Sequence, residues 1–146
     1  MLIGELAKQA GCEAGTIRYY ESEGLLEKAA RSESGYRRYT GKHLGQLHFV
    51  LHCRSLGMTL SEIRTLQNLQ SDTSTSCDEV SALLEQQIER IHRQIEAMHA
   101  LETQLTALRN CCHDNLPASE CGILKSLQYA AEESESTGKR KAVRKK

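Results

Sequence analysis

The sequence predicts a mainly α protein: an N-terminal winged helix-turn-helix domain, one long dimerisation helix of coiled-coil type, and a C-terminal cysteine-bearing loop that ends in a short helix. Three observations predict it. Two short helical segments flank Gly11 and lead into a basic, aromatic run. Residues from Asp78 to Asn110 contain neither Gly nor Pro. Three cysteines, Cys111, Cys112 and Cys121, crowd together just beyond that stretch.

The first element starts at Ile3-Gly4-Glu5-Leu6-Ala7-Lys8 and is ended by Gly11; the second runs from about Ala14 to Gly24, with Ile17, Tyr20 and Leu25 facing inward. Short helices joined by a tight Gly-containing turn read as helix-turn-helix. Residues 34–39, Ser-Gly-Tyr-Arg-Arg-Tyr, follow a Gly turn with basic and aromatic side chains, which suits a small β-hairpin wing. Thr40 stands where it can cap a third helix to about Leu56, and Thr59-Leu60-Ser61-Glu62 has capping-box spacing for a fourth to about Leu69. Residues 71–76 (SDTSTS) are a polar linker, and Ser76-Cys77-Asp78-Glu79 repeats the capping-box spacing at the start of the long helix.

Within that helix Leu84, Ile88, Ile91, Ile95, Met98, Leu105 and Arg109 keep a heptad rhythm, with Glu102 at the skipped apolar position and Leu101 beside it. Such a seam calls for a second helix. At ~1.5 Å per residue the helix is about 50 Å long, more than one small domain can bury. Dimerisation is therefore expected, with a helix folded back on its own domain as the other reading. The short helix runs from Ile123 to about Tyr129, and residues 132–146 lack periodicity and are expected to be disordered.

Composition narrows the class. With 146 residues, no Trp, one Phe and one Pro, the chain has little with which to build an enzyme-like core. It lacks HExxH, a glycine-rich phosphate loop and a Ser/His/Asp set, so no enzyme is expected. No stretch reaches the ~18 apolar residues of a membrane span and no signal segment is evident, so a soluble cytoplasmic protein is expected. The net charge is zero but unevenly placed. Residues 28–54 hold Lys28, Arg31, Arg37, Arg38, Lys42 and Arg54 against Glu33 alone, residues 71–120 hold nine acids against three bases, and the chain closes on KRKAVRKK. A basic block beside an acidic helix confines nucleic-acid contact to one end. Thr16, Arg18 and Tyr19 lie where a recognition helix presents base and phosphate contacts. Arg31, Tyr36, Arg37 and Arg38 are the wing's backbone-contact candidates. The basic tail either adds non-specific DNA affinity or is simply solvated. Tyr20 reads as core, Glu21 and Glu23 as solvated surface, Cys12 and Cys53 as packing thiols. His48 and His52 share a helix face but have no evident third ligand.

In a reducing compartment six cysteines are thiols rather than a disulfide framework. Cys77 begins the long helix and Cys121 stands near the start of the short one, where the helix N-terminus favours thiolate. Thiolates bind soft and borderline cations. Cys77 cannot share an ion with its own chain's Cys112, because the helix separates them by about 50 Å. An antiparallel pair of long helices would bring Cys77 of one subunit to Cys112 and Cys121 of the other.

The segments IGELAKQAG, TIRYYESEGLL, GYRRY and HCRSLGMTLSEIRTL resemble, in order, the winged-helix domain of the mercury-resistance-regulator (MerR) family, and the likeness extends from Leu2 to about Leu127. It implies a homodimer held by an antiparallel coiled coil and bound to double-stranded operator and promoter DNA. It further implies that RNA polymerase is engaged when an effector distorts that DNA. Relatives with cysteine at the position of Cys77 sense divalent ions, whereas sensors of monovalent ions lack a thiol there. The loop CCHDNLPASECGIL resembles the cadmium- and lead-responsive subgroup (CadR and PbrR types), which shares Cys77, Cys112, Cys121 and CGIL. Zinc-responsive regulators (ZntR type) share the paired cysteines but carry a histidine where Leu116 stands. The implied effector is a divalent metal ion, Cd²⁺ or Pb²⁺, with Zn²⁺, Hg²⁺ or Co²⁺ as alternatives. Three thiolates suit Cd²⁺, Pb²⁺ or Hg²⁺, while Zn²⁺ prefers a tetrahedral set that Cys111 or His113 could complete. Thiol redox sensing is the remote alternative.

The expected organisation is thus a DNA-binding domain (1–70), a linker (71–77), a dimerisation helix (78–110), a metal-binding loop with a short helix (111–130) and a disordered basic tail (131–146).

Overall fold

The structure, a computed structural model, describes residues 1–74, 76–113 and 115–145, with side chains up to residue 135. Among the described residues six α-helices and one two-stranded sheet follow in the order α1 (Ile3–Ala10), α2 (Ala14–Ser22), β1 (Ala30–Arg31), β2 (Arg37–Arg38), α3 (Gly41–Ser55), α4 (Leu60–Ser71), α5 (Cys77–Arg109) and α6 (Gly122–Lys145). A short 3-10 turn, Ala118–Glu120, precedes α6. The chain divides into two compact units, Met1–Glu89 and Arg90–Lys146.

In the first unit α1 ends where Gly11 turns left-handed (φ 72°), and its N–H closes on the Ala7 carbonyl. Only glycine enters that region without a Cβ penalty, so the helix-turn-helix break is written into one residue. Strands β1 and β2 are antiparallel with Ala30 opposite Arg38 and Arg31 opposite Arg37, closed by a turn in which the Gly35 N–H reaches the Ser32 carbonyl at 2.9 Å. The α4 cap is reciprocal: Thr59 Oγ1 accepts from the Glu62 N–H (3.2 Å) and Glu62 Oε1 accepts from the Thr59 N–H (2.9 Å). At α3 the reaching side chain is histidine instead, with His43 Nδ1 accepting from the Thr40 N–H at 3.0 Å.

Leu6, Ile17, Leu25, Tyr39, Leu47, Val50, Met58 and Ile63 form the core of this unit, with Tyr20 and Cys53 also buried. Cys12 is partly buried against them. Burial pushes both the Cys12 and the Cys53 thiol up, which disfavours thiolate at either. Glu21 is not free surface. It accepts from the Tyr39 hydroxyl (2.9 Å) and the Ala29 N–H (3.2 Å), tying α2 to the hairpin, while Glu23 pairs with Arg64.

Helix α5 carries the expected seam, and Leu84, Ile88, Ile91, Ile95, Met98, Leu101 and Leu105 are all exposed on it. Gln87 is the exception: it is buried, and its Nε2 donates to the Leu56 carbonyl at 2.7 Å. In the second unit α6 runs well past Tyr129, where the short helix was expected to end. Its continuation rests on helix-forming Ala130, Ala131, Glu132 and Glu133 rather than on an apolar face. Hydrogen bonds one turn apart, Gln128 to Glu132 (3.2 Å) and Tyr129 to Glu133 (3.3 Å), support it. The helix thus enters the stretch from residue 131 onward for which disorder was expected, and the side chains of the KRKAVRKK run lie outside the described residues. Among the described residues no helix is long and apolar enough to cross a membrane.

Candidate functional site

The candidate nucleic-acid face is built on α2 and the hairpin. Ile17 and Tyr20 turn inward and anchor α2, which leaves Arg18 and Tyr19 on its outer side with Thr16 partly exposed one turn back. Arg18 is exposed, and Tyr19 is 52% exposed. On the hairpin Arg31, Tyr36 and Arg38 are exposed and Arg37 is partly covered. The Arg31 guanidinium donates to the Gly35 carbonyl at 3.2 Å, which bridges the hairpin and holds a cation at its tip. Tyr39, the last residue of the hairpin run, is 2% exposed, and its phenol is pushed up by burial and by the neighbouring Glu21 carboxylate, with Arg37 opposing. The face is therefore basic, aromatic and fixed from behind by apolar packing, a form suited to phosphate and base-edge contacts.

The candidate metal centre lies in the second unit. The last turn of α5 tightens as the Cys111 N–H bonds the Leu108 carbonyl at 3.0 Å, and the chain returns through the 3-10 turn to Cys121, whose N–H bonds the Ala118 carbonyl at 3.2 Å. Cys121 then stands at the N-terminal edge of α6, its carbonyl accepting from the Lys125 N–H at 3.1 Å. Its sulfur accepts from the main-chain N–H groups of Leu124 and Ile123, which hold the thiol below its ordinary range. The Cys112 thiol, which donates to the same sulfur, acts in that direction too, and partial desolvation opposes them. Sulfur here takes the capping role that serine or aspartate usually fills, and negative charge on it is favoured.

The loop thus brings Cys112 to Cys121 and not the other candidates. The Cys111 thiol turns back on α5 and donates to the Ala107 carbonyl at 3.4 Å. His113 is exposed, and Cys77 is exposed in the first turn of α5, where the Ser76 hydroxyl oxygen accepts from the Asp78 N–H at 3.3 Å. Among the described residues no group of three or more His, Cys, Asp and Glu could hold a metal ion. The expected metal-binding loop is, within one chain, a pair of thiols. His48 and His52 are exposed on α3 and belong to no such group.

Sequence reasoning missed Glu21 as a structural acceptor. For Cys121 it read the favourable helix N-terminus, and the fold names the Leu124 and Ile123 amides as the donors.

Residues 1–70 match the family model described as MerR HTH family regulatory protein, and residues 44–108 match the model described as MerR, DNA binding. The HTH-type transcriptional regulator ZntR of Escherichia coli K12 is 34% identical over 88% of this chain and 93% of its own. The mercuric resistance operon regulatory protein of Bacillus cereus is 37% identical over 86% of this chain and 95% of its own. The crystal structure of the transcription regulator PbrR691 from Ralstonia metallidurans CH34, solved in complex with lead(II), superposes with a TM-score of 0.78. It is 46% identical, over 87% of this chain and 98% of that one.

Proposed function

The chain belongs to the MerR HTH family of regulatory proteins, and from this we propose that it is a homodimeric transcription regulator that senses a soft divalent metal, Cd²⁺ or Pb²⁺, through cysteine thiolates. It is not an enzyme. The observation that carries the reading is the approach of the two cysteine segments, since a Cβ on Gly122, the neighbour of Cys121, would stand 3.8 Å from the Cys112 Cβ; main-chain N–H groups of Leu124 and Ile123, and then Cys112, hold the Cys121 thiol low. A soft or borderline cation supplies the charge that two or three such sulfurs share. The ligand set is Cys112 and Cys121 of one chain with Cys77 of the partner subunit, which an antiparallel pairing of α5 helices allows. The exposed apolar seam of α5 supports the pairing, because so long an apolar stripe on a soluble helix calls for a cover.

The Cys111 thiol bonded to Ala107 supports a three-thiolate set over a tetrahedral one, and so favours Cd²⁺ or Pb²⁺ over Zn²⁺. A zinc response through the same loop, with Cys111 or His113 as fourth ligand, is the second reading, supported by the likeness to ZntR. Domain 1–70 reads double-stranded operator DNA through Thr16, Arg18, Tyr19, Arg31, Tyr36, Arg37 and Arg38. The bound dimer activates its promoter for RNA polymerase by distorting that DNA.

A promoter-reporter series with Cd²⁺, Pb²⁺, Zn²⁺, Hg²⁺ and Co²⁺, with metal stoichiometry per dimer, tests this. Cys112→Ser and Cys121→Ser are each expected to abolish induction while operator binding persists. Induction that survives both changes sinks the sensor assignment.

A further inference from the structure

We propose that Gly122 is a positioning residue of the thiol pair: its missing side chain lets the first turn of α6 lie on the Cys111–Cys112 segment and so brings the Cys112 sulfur to Cys121. A Cβ at position 122 would overlap the Cys111 carbonyl oxygen, stand 3.2 Å from the Cys111 carbonyl carbon and 3.8 Å from the Cys112 Cβ. The obstacle is main chain, not the far end of a flexible side chain. That main chain is itself held, because the N–H groups of Asn110 and Cys111 bond the Thr106 and Leu108 carbonyls at 3.1 and 3.0 Å. Relief therefore requires either the Cys111–Cys112 peptide or the start of α6 to move. Either motion separates Cys112 from Cys121.

Backbone freedom does not explain this glycine. The left-handed glycines are Gly11, Gly24, Gly35 and Gly57, and Gly122 is not among them. Helix propensity does not explain it either, since glycine inside a helix costs roughly 1 kcal/mol relative to alanine. Nor is the close approach common in this protein: at Gly4, Gly15, Gly41 and Gly45 a Cβ would meet nothing within 4 Å. Space against the cysteine segment is what remains. The inference rests on the metal reading only for its ligand, because the juxtaposition of the two thiols can be probed without metal.

The test uses the full chain in a Cys111→Ser background, so that the adjacent thiol cannot substitute. Phenylarsine oxide condenses with two neighbouring thiols, forming two As–S bonds and releasing one water while arsenic stays trivalent. The parent is expected to capture the arsenical and to lose capture with Cys112→Ser. Gly122→Ala is expected to weaken capture about 10–100-fold, the range seen when groups that orient ligands are changed. Gly45→Ala, the matched control, is expected to match the parent. Helicity by far-UV circular dichroism is read alongside, and an alanine is expected to hold or raise it. Capture lost with helicity retained supports the positioning role. Capture unchanged in Gly122→Ala, or lost only together with helicity, overturns it. A parallel Cd²⁺ titration, followed by thiolate-to-metal charge-transfer absorption, is expected to weaken by the same factor. If the parent captures the arsenical but takes up no Cd²⁺, the metal reading fails and the role of Gly122 stands.

Discussion

Replacing Gln87 with leucine is expected to destabilise the protein more than replacing it with alanine, the reverse of the order that apolar burial alone would give. Gln87 is 6% exposed on α5, and its Nε2 donates at 2.7 Å to the carbonyl of Leu56, the C-cap of α3. Carbonyls at a helix C-terminus have no partner inside the helix, so this bond satisfies a group that would otherwise need water. Leucine keeps nearly the same bulk but has no donor, and a carbonyl left dry and unpaired costs about 1–3 kcal/mol. Alanine opens a space that water can enter, so its cost is nearer the net value of one hydrogen bond, about 0.5–1.5 kcal/mol. The neighbouring Gly57 gives an independent handle. It has φ 79°, and a Cβ there would come within 2.8 Å of Gln87 Nε2. Gly11 has φ 72° with open space around it. Alanine at either site pays roughly 1–2 kcal/mol for the left-handed conformation, but only Gly57→Ala must also displace Gln87. Its excess cost is expected to vanish in a Gln87→Ala background. Urea unfolding of metal-free protein at one fixed concentration measures all of these, since association shifts apparent stability. Leucine at 87 as stable as wild type, or an excess at Gly57 that persists without Gln87, refutes the reasoning.

Tyr39→Phe removes the bond to Glu21 and is expected to cost about 1–3 kcal/mol at neutral pH. Because the Tyr39 phenol is raised in the fold, first by burial and then by Glu21, its contribution is complete below the unfolded phenol value of about 10. It is lost as pH rises through the folded value, so the gap between wild type and Tyr39→Phe is expected to close under strongly alkaline conditions in unfolding titrations. A gap that widens there contradicts the assignment. Arg18→Ala is expected to weaken operator binding equally with and without metal. If Arg18 meets phosphate, the salt slope falls by about one; if it meets a guanine edge, about 1–3 kcal/mol and some sequence preference are lost. Mobility-shift titrations at several salt concentrations distinguish these, and unchanged affinity at low salt removes Arg18 from the interface.

Much of the architecture was legible because its signals are local. A cap needs groups three residues apart, so Thr59 and Glu62 announced α4. Gly11 announced the break between α1 and α2, and the heptad rhythm announced the exposed face of α5. Where local signals were read too narrowly, the expectation failed: apolar periodicity stops near Tyr129, but helix-forming side chains carry α6 onward. The likeness of Cys77, Cys112 and Cys121 to a known ligand pattern was legible too, as residue types at a spacing.

What the tertiary structure alone decided are relations between residues that no spacing encodes. Glu21 looked solvated because nothing beside it in sequence needs a carboxylate, yet the chain returns Tyr39 to it 18 residues later. Gln87 carries no signal in the sequence, and only the fold sets it against the α3 terminus, 31 residues earlier. Gly122 read as part of a loop pattern until its first turn was found lying on the Cys111 carbonyl. Helix starts and stops follow from chemistry within one turn of the chain, so sequence by itself determined the order of elements and the identity of the thiols. Close approach depends on where distant segments come to rest, so only the fold could select Cys112 and Cys121 as the pair in contact and leave Cys111 bonded to its own helix.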